Sequence, residues 1–503
     1  MAVSLIHMVR AHSVADIRAA EAEVLPTGPP GFLMGRAATS LAGWCLRLLK
    51  ERRRPVVGAR LVLLVGAGDN GGDALLAGAR LARRGLAVVA VLTADTAHPA
   101  GMAELAAAGG RVVRSGEPGG TVRALSAMAR ADLVLDGIVG IGGQPGLRPP
   151  ADELAAGIPA GVPVVAVDLP SGVDPDTGET PSAHVRADLT VTFGAVKHCL
   201  LLPPASHAAG RVEFVDVGLG DALPARAAVR RLTPRGAGAR WPVPQREDHK
   251  YRRGVLGVVA GSDTYPGAAV LACSGAVRAG VGVVRYIGPP TVTSMVLQAQ
   301  PEVVRGVGQV QAWLLGSGVE NDDQQDTAIE HALGSGLPCV VDAGALDSCV
   351  QRRAAGSRPA SADSVLLTPH AGELARALGL LGASVTRSDV EARPLHHARW
   401  LARASDTTVL LKGSTTLVVS PDGSVLSQDD GPPWLATAGS GDVLAGFAGA
   451  LLAAGLNAPD AGSVAALVHG RAAARASGGG PIAAGDVAHA ARATVAELLE
   501  LRS

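Results

Sequence analysis

"VGAGDNGGDALLAG", Val65 to Gly78, follows an apolar run and opens a segment rich in alanine and leucine. Gly66, Gly68 and Gly71 fit the G-x-G-x-x-G pattern of a strand-to-helix turn whose backbone N–H groups receive a phosphate. Such a turn sits at the carboxyl end of a strand, where open α/β sheets bind ligands. Asp69, Asn70 and Asp73 lie inside it. A turn that only cradles a dinucleotide does not need them, so their side chains are read as working parts of a site. Taken singly, each Asp reads equally well as a turn or helix cap.

The sequence on either side extends this reading. "LVLLVG" from Leu61, "AVVAVLT" from Ala87, "DLVLDG" from Asp132, "PVVAVDLPSG" from Pro163 and "LTVTFG" from Leu189 are β-rich runs separated by helix-like segments. That alternation predicts βαβ units and a parallel sheet. A second series predicts a second α/β domain: "GVLGVVAGS" from Gly254, "VGVVRYIG" from Val281, "AWLLGSG" from Ala312, "PCVVDAGAL" from Pro338, "SVLLTPHAGE" from Ser364 and "TTVLLKGSTTLVV" from Thr407. Between them, the stretch from Gly218 is rich in Pro, Gly and Arg and has no sustained period. It reads as a junction with its boundary near Gly236, giving domains 1–235 and 236–503. Ahead of Leu61, "VADIRAAEAEVL" and "FLMGRAATSLAGWCLRLLK" have the apolar spacing of helices that would pack over the first sheet. No internal repeat is seen.

Composition agrees with two domains, since 503 residues exceed what one hydrophobic core supports. Aromatic residues make up only 2%, so the cores must be built from Ala, Val and Leu. The formal net charge is zero and no long basic run occurs, which argues against a nucleic-acid or anionic-membrane partner. The five cysteines are scattered, without a Cys-x-x-Cys pair. They suggest neither a disulfide framework nor a zinc site and fit a reducing cytoplasm. The opening "MAVSLIHMVRAHS" has no signal-peptide pattern. The apolar stretch Val443 to Leu456 falls short of the roughly 20 residues of a membrane span. A soluble cytoplasmic protein acting on small molecules, and forming a homo-oligomer, is expected.

Two further strand ends in the first half carry polar residues: Asp136 in "LVLDG", and Asp168 with Ser171 in "VVAVDLPSG". In a doubly wound sheet these ends share one edge, so Asn70, Asp136, Asp168 and Ser171 could meet in one cleft. Hard oxygen donors of this kind suit an alkali or alkaline-earth cation, or acid–base catalysis by one carboxylate. In the second half, "LATAGSGDVLAGFAG" from Leu435 delivers Asp442 to the start of an apolar helix through a turn of small residues. A helix N-terminus is suited to hold an anion, although Asp442 also reads as a simple cap. No Walker A loop is present, because Gly413 is followed by Ser414 and Thr415.

With "LMGRAA" ahead of them, "GAGDNGGDA", "DGIVGIGGQPG" and "VDLPSGVDPDTG" resemble the NAD(P)H-hydrate epimerase domain over roughly residues 10 to 220. The resemblance implies that Asp69, Asn70, Gly71, Gly72 and Asp73 hold the substrate, together with the loop Gly140, Ile141, Gly142, Gly143, Gln144, Pro145 and Gly146. It implies that Asn70, Asp136 and Ser171 ligate a potassium ion and that Asp168 contacts the reacting nicotinamide. The family usually has Asn where Asp69 stands and Gly where Ala74 stands.

The second half, through "HKYRRGVLGVVAGSDTYPGAAV" from His249, "LLGSG" from Leu314, "LTPHAGE" from Leu367, "LLKGSTT" from Leu410 and "AGSGD" from Ala438, resembles the ADP-dependent NAD(P)H-hydrate dehydratases of the ribokinase-like fold. There the resemblance implies that Lys412, Gly413, Ser414, Thr415, Thr416 and Gly441 bind the adenine nucleotide. Ala269, Gly318, His370 and Asp442 would face the hydrate. Mg²⁺ would accompany ADP, and Asp442 would be the base that accepts the hydroxyl proton. The expected fold is α/β throughout, a Rossmann-like three-layer αβα domain followed by a ribokinase-like domain. The expected function is repair of NADHX and NADPHX: epimerisation of the R and S hydrates, then dehydration of the S form with ADP. A small-molecule kinase with a noncatalytic dinucleotide-binding domain is the rival reading.

Overall fold

The computed structural model describes residues 7–29, 31–320 and 322–502. They divide into two compact units, one of residues 10–227 and one of residues 7–9 with 228–502. No helix of the described residues is long and apolar enough to cross a membrane.

In the first unit, seven strands form one parallel sheet. They are β1 (Arg60–Val65), β2 (Ala87–Leu92), β3 (Arg111–Arg114), β4 (Leu133–Gly137), β5 (Val164–Val167), β6 (Leu189–Phe193) and β7 (Arg211–Val215), in the order β3-β2-β1-β4-β5-β6-β7. Successive side chains of a strand point to opposite faces. Accordingly Leu61, Leu63 and Val65 of β1 enter one apolar cluster with Leu41, Cys45 and Leu75, while Val62 and Leu64 enter another with Ala124, Met128 and Leu154. Both faces are therefore covered, which is the expected three-layer arrangement. The order of strand addition reverses between β1 and β4, so their carboxyl ends open a crevice. The predicted N-terminal helices form at Val14–Val24, capped by Ser13 with a reciprocal bond to Asp16, and at Phe32–Glu51.

In the second unit the strands are β8 (Val229–Leu232), β9 (Val255–Val259), β10 (Val283–Ile287), β11 (Val304–Arg305), β12 (Ala312–Leu315), β13 (Cys339–Val341), β14 (Val365–Leu367), β15 (Thr408–Leu411), β16 (Thr416–Val419) and β17 (Val425–Gln428). Their order is β11-β10-β9-β12-β13-β14-β15-β16-β17-β8. All neighbours run parallel except the hairpin β15–β16 and its continuation β16–β17. Helices Pro266–Arg278, Ser440–Ala453 and Ala458–Ser477 pack their alanines and glycines into the main core. A Cβ at Gly446 would lie 2.3 Å from Ala272 O, so small residues let the first two of these helices approach closely.

The junction departs from the sequence reading. The units divide between Ala227 and Ala228, ahead of Gly236, and two elements occupy the supposed linker. Val229 pairs with Val425 and Arg230 with Leu426, and Thr233 caps a helix over Pro234–Arg240. Val-Arg-Arg-Leu carries almost no local β signal; pairing with β17 makes it a strand.

Candidate active sites

In the first unit, the turn after β1 places Gly68 as the extended N-cap of helix Asp69–Ala82. A Cβ at Gly71 would sit 2.1 Å from Gly66 O, so this turn closes only on glycine. Asn70 follows, and its Nδ2 donates to Val167 O at 2.7 Å. Its Oδ1 lies 2.4 Å from where a Cβ of Gly140 would be, which ties the loop after β4 to the turn after β1.

Asp136, fully buried at the end of β4, accepts from Ser171 N at 2.8 Å and Ser171 Oγ at 2.6 Å. Burial raises its carboxyl to about 6 against the pull of those bonds. Ser171 Oγ also accepts from Val139 N at 2.9 Å. Of the predicted trio, Asp136 and Ser171 are bonded to each other, and Asn70 reaches the loop after β4 at Gly140.

Asp168 directly follows β5 with a left-handed φ of 70°. Leu169 N reaches across it to Val167 O at 2.8 Å. A non-glycine residue there costs of the order of 1–3 kcal/mol and marks a position held by its surroundings. Its Oδ1 accepts from Lys197 Nζ, from Phe193 N at 3.1 Å and from Thr192 Oγ1 at 3.2 Å. Lys197, which the sequence reading did not single out, is only 2% exposed. It donates further to Phe193 O at 2.9 Å and Thr192 Oγ1 at 3.1 Å. Asp69 and Asp73 flank Asn70 on the same helix. Residues Gly140 to Gly146 form the irregular loop after β4.

In the second unit, the carboxyl ends of β13, β14 and β15 converge. Asp342, 2% exposed, accepts from Ser317 Oγ at 2.9 Å, Thr368 Oγ1 at 2.9 Å and Lys412 Nζ at 2.9 Å. Lys412 Nζ also lies 3.6 Å from Glu373 Oε2. Burial alone would lower the pKa of this lysine, but Asp342, Glu373 and Asp442 outweigh it and raise the value. It is therefore no solvated strand-end charge. His370 caps helix Ala371–Leu380: its Nδ1 accepts from Gly372 N at 3.1 Å and Glu373 N at 3.2 Å. Nδ1 being an acceptor, the proton of the neutral ring is on Nε2.

Gly439, at φ 84°, is the N-cap of helix Ser440–Ala453 and makes no side-chain cap bond. Asp442 lies in the first turn of that helix, and the cap is left to glycine. Burial, then the charge of Asp342, pushes its carboxyl up to about 7, against the pull of Lys412 and Ser317. Beside it opens a cavity of about 680 Å³, lined among others by His370, Lys412, Gly413, Ser414, Thr416, Ser440, Gly441 and Leu444. His469, which sequence spacing does not betray, also lines it. Burial lowers His469 to about 4, so it faces the cavity uncharged. Thr415 is 4% exposed and Ala269 fully buried in the core, and neither is among the lining residues. Gly318 follows β12 with φ 65°.

The family described as YjeF-related protein N-terminus matches residues 31–199, and that described as NAD(P)H-hydrate dehydratase matches residues 256–490. A bifunctional NAD(P)H-hydrate repair enzyme of Mycobacterium tuberculosis is 44% identical over 90% of this chain and 90% of its own. The enzyme of the same name from Mycobacterium leprae is 44% identical over 92% and 93%. Among solved structures, the ADP/ATP-dependent NAD(P)H-hydrate dehydratase of Bacillus subtilis, co-crystallised with ATP and Mg²⁺, is 26% identical. It covers 53% of this chain and 97% of its own, with a TM-score of 0.48.

Proposed function

The chain belongs to the family of bifunctional NAD(P)H-hydrate repair enzymes, and from that premise we propose how its two sites divide the repair. The crevice of the first unit interconverts the R and S hydrates of NADH and NADPH. The cavity of the second dehydrates the S hydrate at the expense of ADP, releasing AMP and phosphate. An S-specific dehydratase alone would strand the R epimer, so joining the two activities makes the whole mixture recoverable.

The observation that carries the second assignment is the placement of Asp442. It sits one residue beyond Gly441 at a helix N-terminus, with the Lys412 ammonium 3.6 Å from the Cβ position of Gly441. Hydroxide leaves poorly from C6 of the reduced ring. Transfer of the terminal phosphoryl of ADP to that oxygen makes an ester, and loss of phosphate with the C5 proton restores the ring double bond. Asp442 accepts the hydroxyl proton, and a carboxyl near 7 is suited to do so at neutral pH. Lys412 and the N–H groups of the Gly439–Gly441 turn stabilise the migrating phosphoryl. Mg²⁺, entering on the phosphates, would neutralise part of their charge.

In the first unit, Asn70 Oδ1, the Asp136 carboxylate and Ser171 Oγ fit a potassium ion, a hard cation that takes oxygen donors. The ion would fix the loop after β4 against the turn after β1. Asp168 faces the nicotinamide, and residues 69–73 and 140–146 hold the substrate. Self-association of the protein is expected and is measured by light scattering.

The test uses purified (S)-NADHX with ADP and Mg²⁺. One AMP and one phosphate released per NADH formed supports the reading. A stable phosphorylated product without NADH refutes it.

A further inference from the structure

The proton-transfer groups of the first site are legible in a cluster around Asp73. This residue lies one turn into helix Asp69–Ala82, is 8% exposed, and has an enclosed Oδ1 with no hydrogen-bond partner among the described residues. Burial comes first, followed by the negative charges of Asp168, Asp69 and Glu21, and these hold its carboxyl well above the usual range against the opposing charge of Lys197. Glu21, on helix Val14–Val24, is itself raised by burial, with Arg18 and Lys197 pulling it down. Burial without a donor to Oδ1 favours the protonated form of this carboxyl.

Asp168, by contrast, is well supplied with donors. Its Oδ1 gathers the Lys197 ammonium, Thr192 Oγ1 and Phe193 N. The three bonds of that ammonium end on Asp168, Thr192 and Phe193 O, so Lys197 is a fixed counter-ion with no proton to spare for a ligand. One carboxyl with an enclosed, unbonded oxygen and a second whose oxygen is held by a buried ammonium are suited to act as an acid and its partner acceptor.

We propose that Asp73 and Asp168 are the acid–base pair of epimerisation, with Lys197 the positioning residue that holds Asp168 as a fixed acceptor. The proposal rests on reading the first unit as the epimerase. Asp73 gives its proton to the C6 hydroxyl, the C6–O bond breaks with its electron pair on oxygen, and water leaves. The N1 lone pair moves into the N1–C6 bond, giving an iminium. A water molecule then adds to the other face of C6, its proton passes to Asp168, and N1 regains its lone pair. The configuration at C6 is inverted and one proton has moved from Asp73 to Asp168. The reverse epimerisation uses the same two groups with their roles exchanged.

The test takes the full-length protein and pure (S)-NADHX in H₂¹⁸O without nucleotide, and follows appearance of the R epimer together with isotope in its hydroxyl. The parent should incorporate one solvent oxygen per epimerisation above the uncatalysed background. D73N keeps the shape of the side chain but cannot act as an acid, and its rate should fall at least 100-fold while the substrate dissociation constant changes by less than about 3-fold and the thermal transition persists. Lys197→Arg, which keeps the charge, should retain more activity than Lys197→Met and a pH profile closer to the parent's. Epimerisation by the parent without ¹⁸O uptake overturns the proposal, as does a folded D73N variant at the parental rate. A parent that does not interconvert the epimers at all removes the epimerase reading itself, a distinguishable failure.

Discussion

Replacing Asp442 by Asn separates its chemistry from its structural part. The carboxyl stands at about 7 in the folded protein against an ordinary 3.8, which at about 1.4 kcal/mol per unit is a difference near 4 kcal/mol between its two protonation states. The sign follows from the direction of the shift. A raised carboxyl favours the folded state while protonated, so its contribution is complete below about pH 4 and is lost as pH rises through 7. Asn resembles the protonated form at every pH. The variant should therefore match the parent in stability near pH 4 or below and exceed it by a margin that grows up to about pH 7. Asp442 keeps some contact with solvent and with Lys412, so a gain of about 1–3 kcal/mol is expected rather than the whole difference. Dehydration should move the other way, falling by about 10² to 10⁴, the usual contribution of a positioned base. Thermal unfolding from pH 4 to 9, paired with the return of reduced-nicotinamide absorbance from (S)-NADHX and ADP, measures both. In the parent the rate should fall about tenfold per unit below pH 7 and level off above it. A folded Asn variant dehydrating at the parental rate would refute the reasoning, and so would a stability difference that does not change with pH.

Asp136→Ala should remove the preference of epimerisation for potassium over lithium, measured as R-to-S conversion in matched salts, and equal rates in the parent under both salts would count against the site. Gly439→Ala forces a side chain onto φ 84° with its Cβ 2.4 Å from Leu271 Cδ1; unfolding should show a loss of about 1–2 kcal/mol, and dehydration should drop while epimerisation holds. Lys412→Met leaves the buried Asp342 carboxylate without its cation, so a loss of about 3–5 kcal/mol is expected in unfolding experiments, with a raised KM for ADP in what remains active. A fragment of residues 10–227, one compact unit, should fold and interconvert the epimers without nucleotide, as chromatography of the epimers would show.

The long apolar strands could be read directly because each is a continuous Val/Leu/Ala run ending in glycine or a polar residue. The strands β3 and β8 could not. Arg111–Arg114 is largely exposed and Val229–Leu232 interrupts its apolar ends with two arginines, so neither shows the period of a buried strand, and only the neighbouring strand gives them structure. At the sites, Asp69, Asp136, Asp168 and Asp442 stood out because a carboxylate at the end of an apolar run needs a reason. Lys197, Asp342 and Glu373 lie in equally suggestive segments, yet nothing local says that Lys197 meets Asp168, or that Asp342 and Glu373 meet Lys412; the first pairing depends on one sheet placing β6 beside β5, and the second on the other sheet placing β13, β14 and β15 side by side. His469 lies within an alanine-rich helix, and its approach to the cavity comes from the packing of Ala458–Ser477.

The division of labour is tested most directly by giving the full-length protein a mixture of (R)- and (S)-NADHX with potassium, Mg²⁺ and excess ADP, and following NADH to completion. Both epimers should be consumed, with NADH, AMP and phosphate each equal to the total hydrate supplied and the rate on the R epimer lost in D73N. Conversion that halts when the S form is exhausted, leaving (R)-NADHX untouched by the parent, would contradict the account.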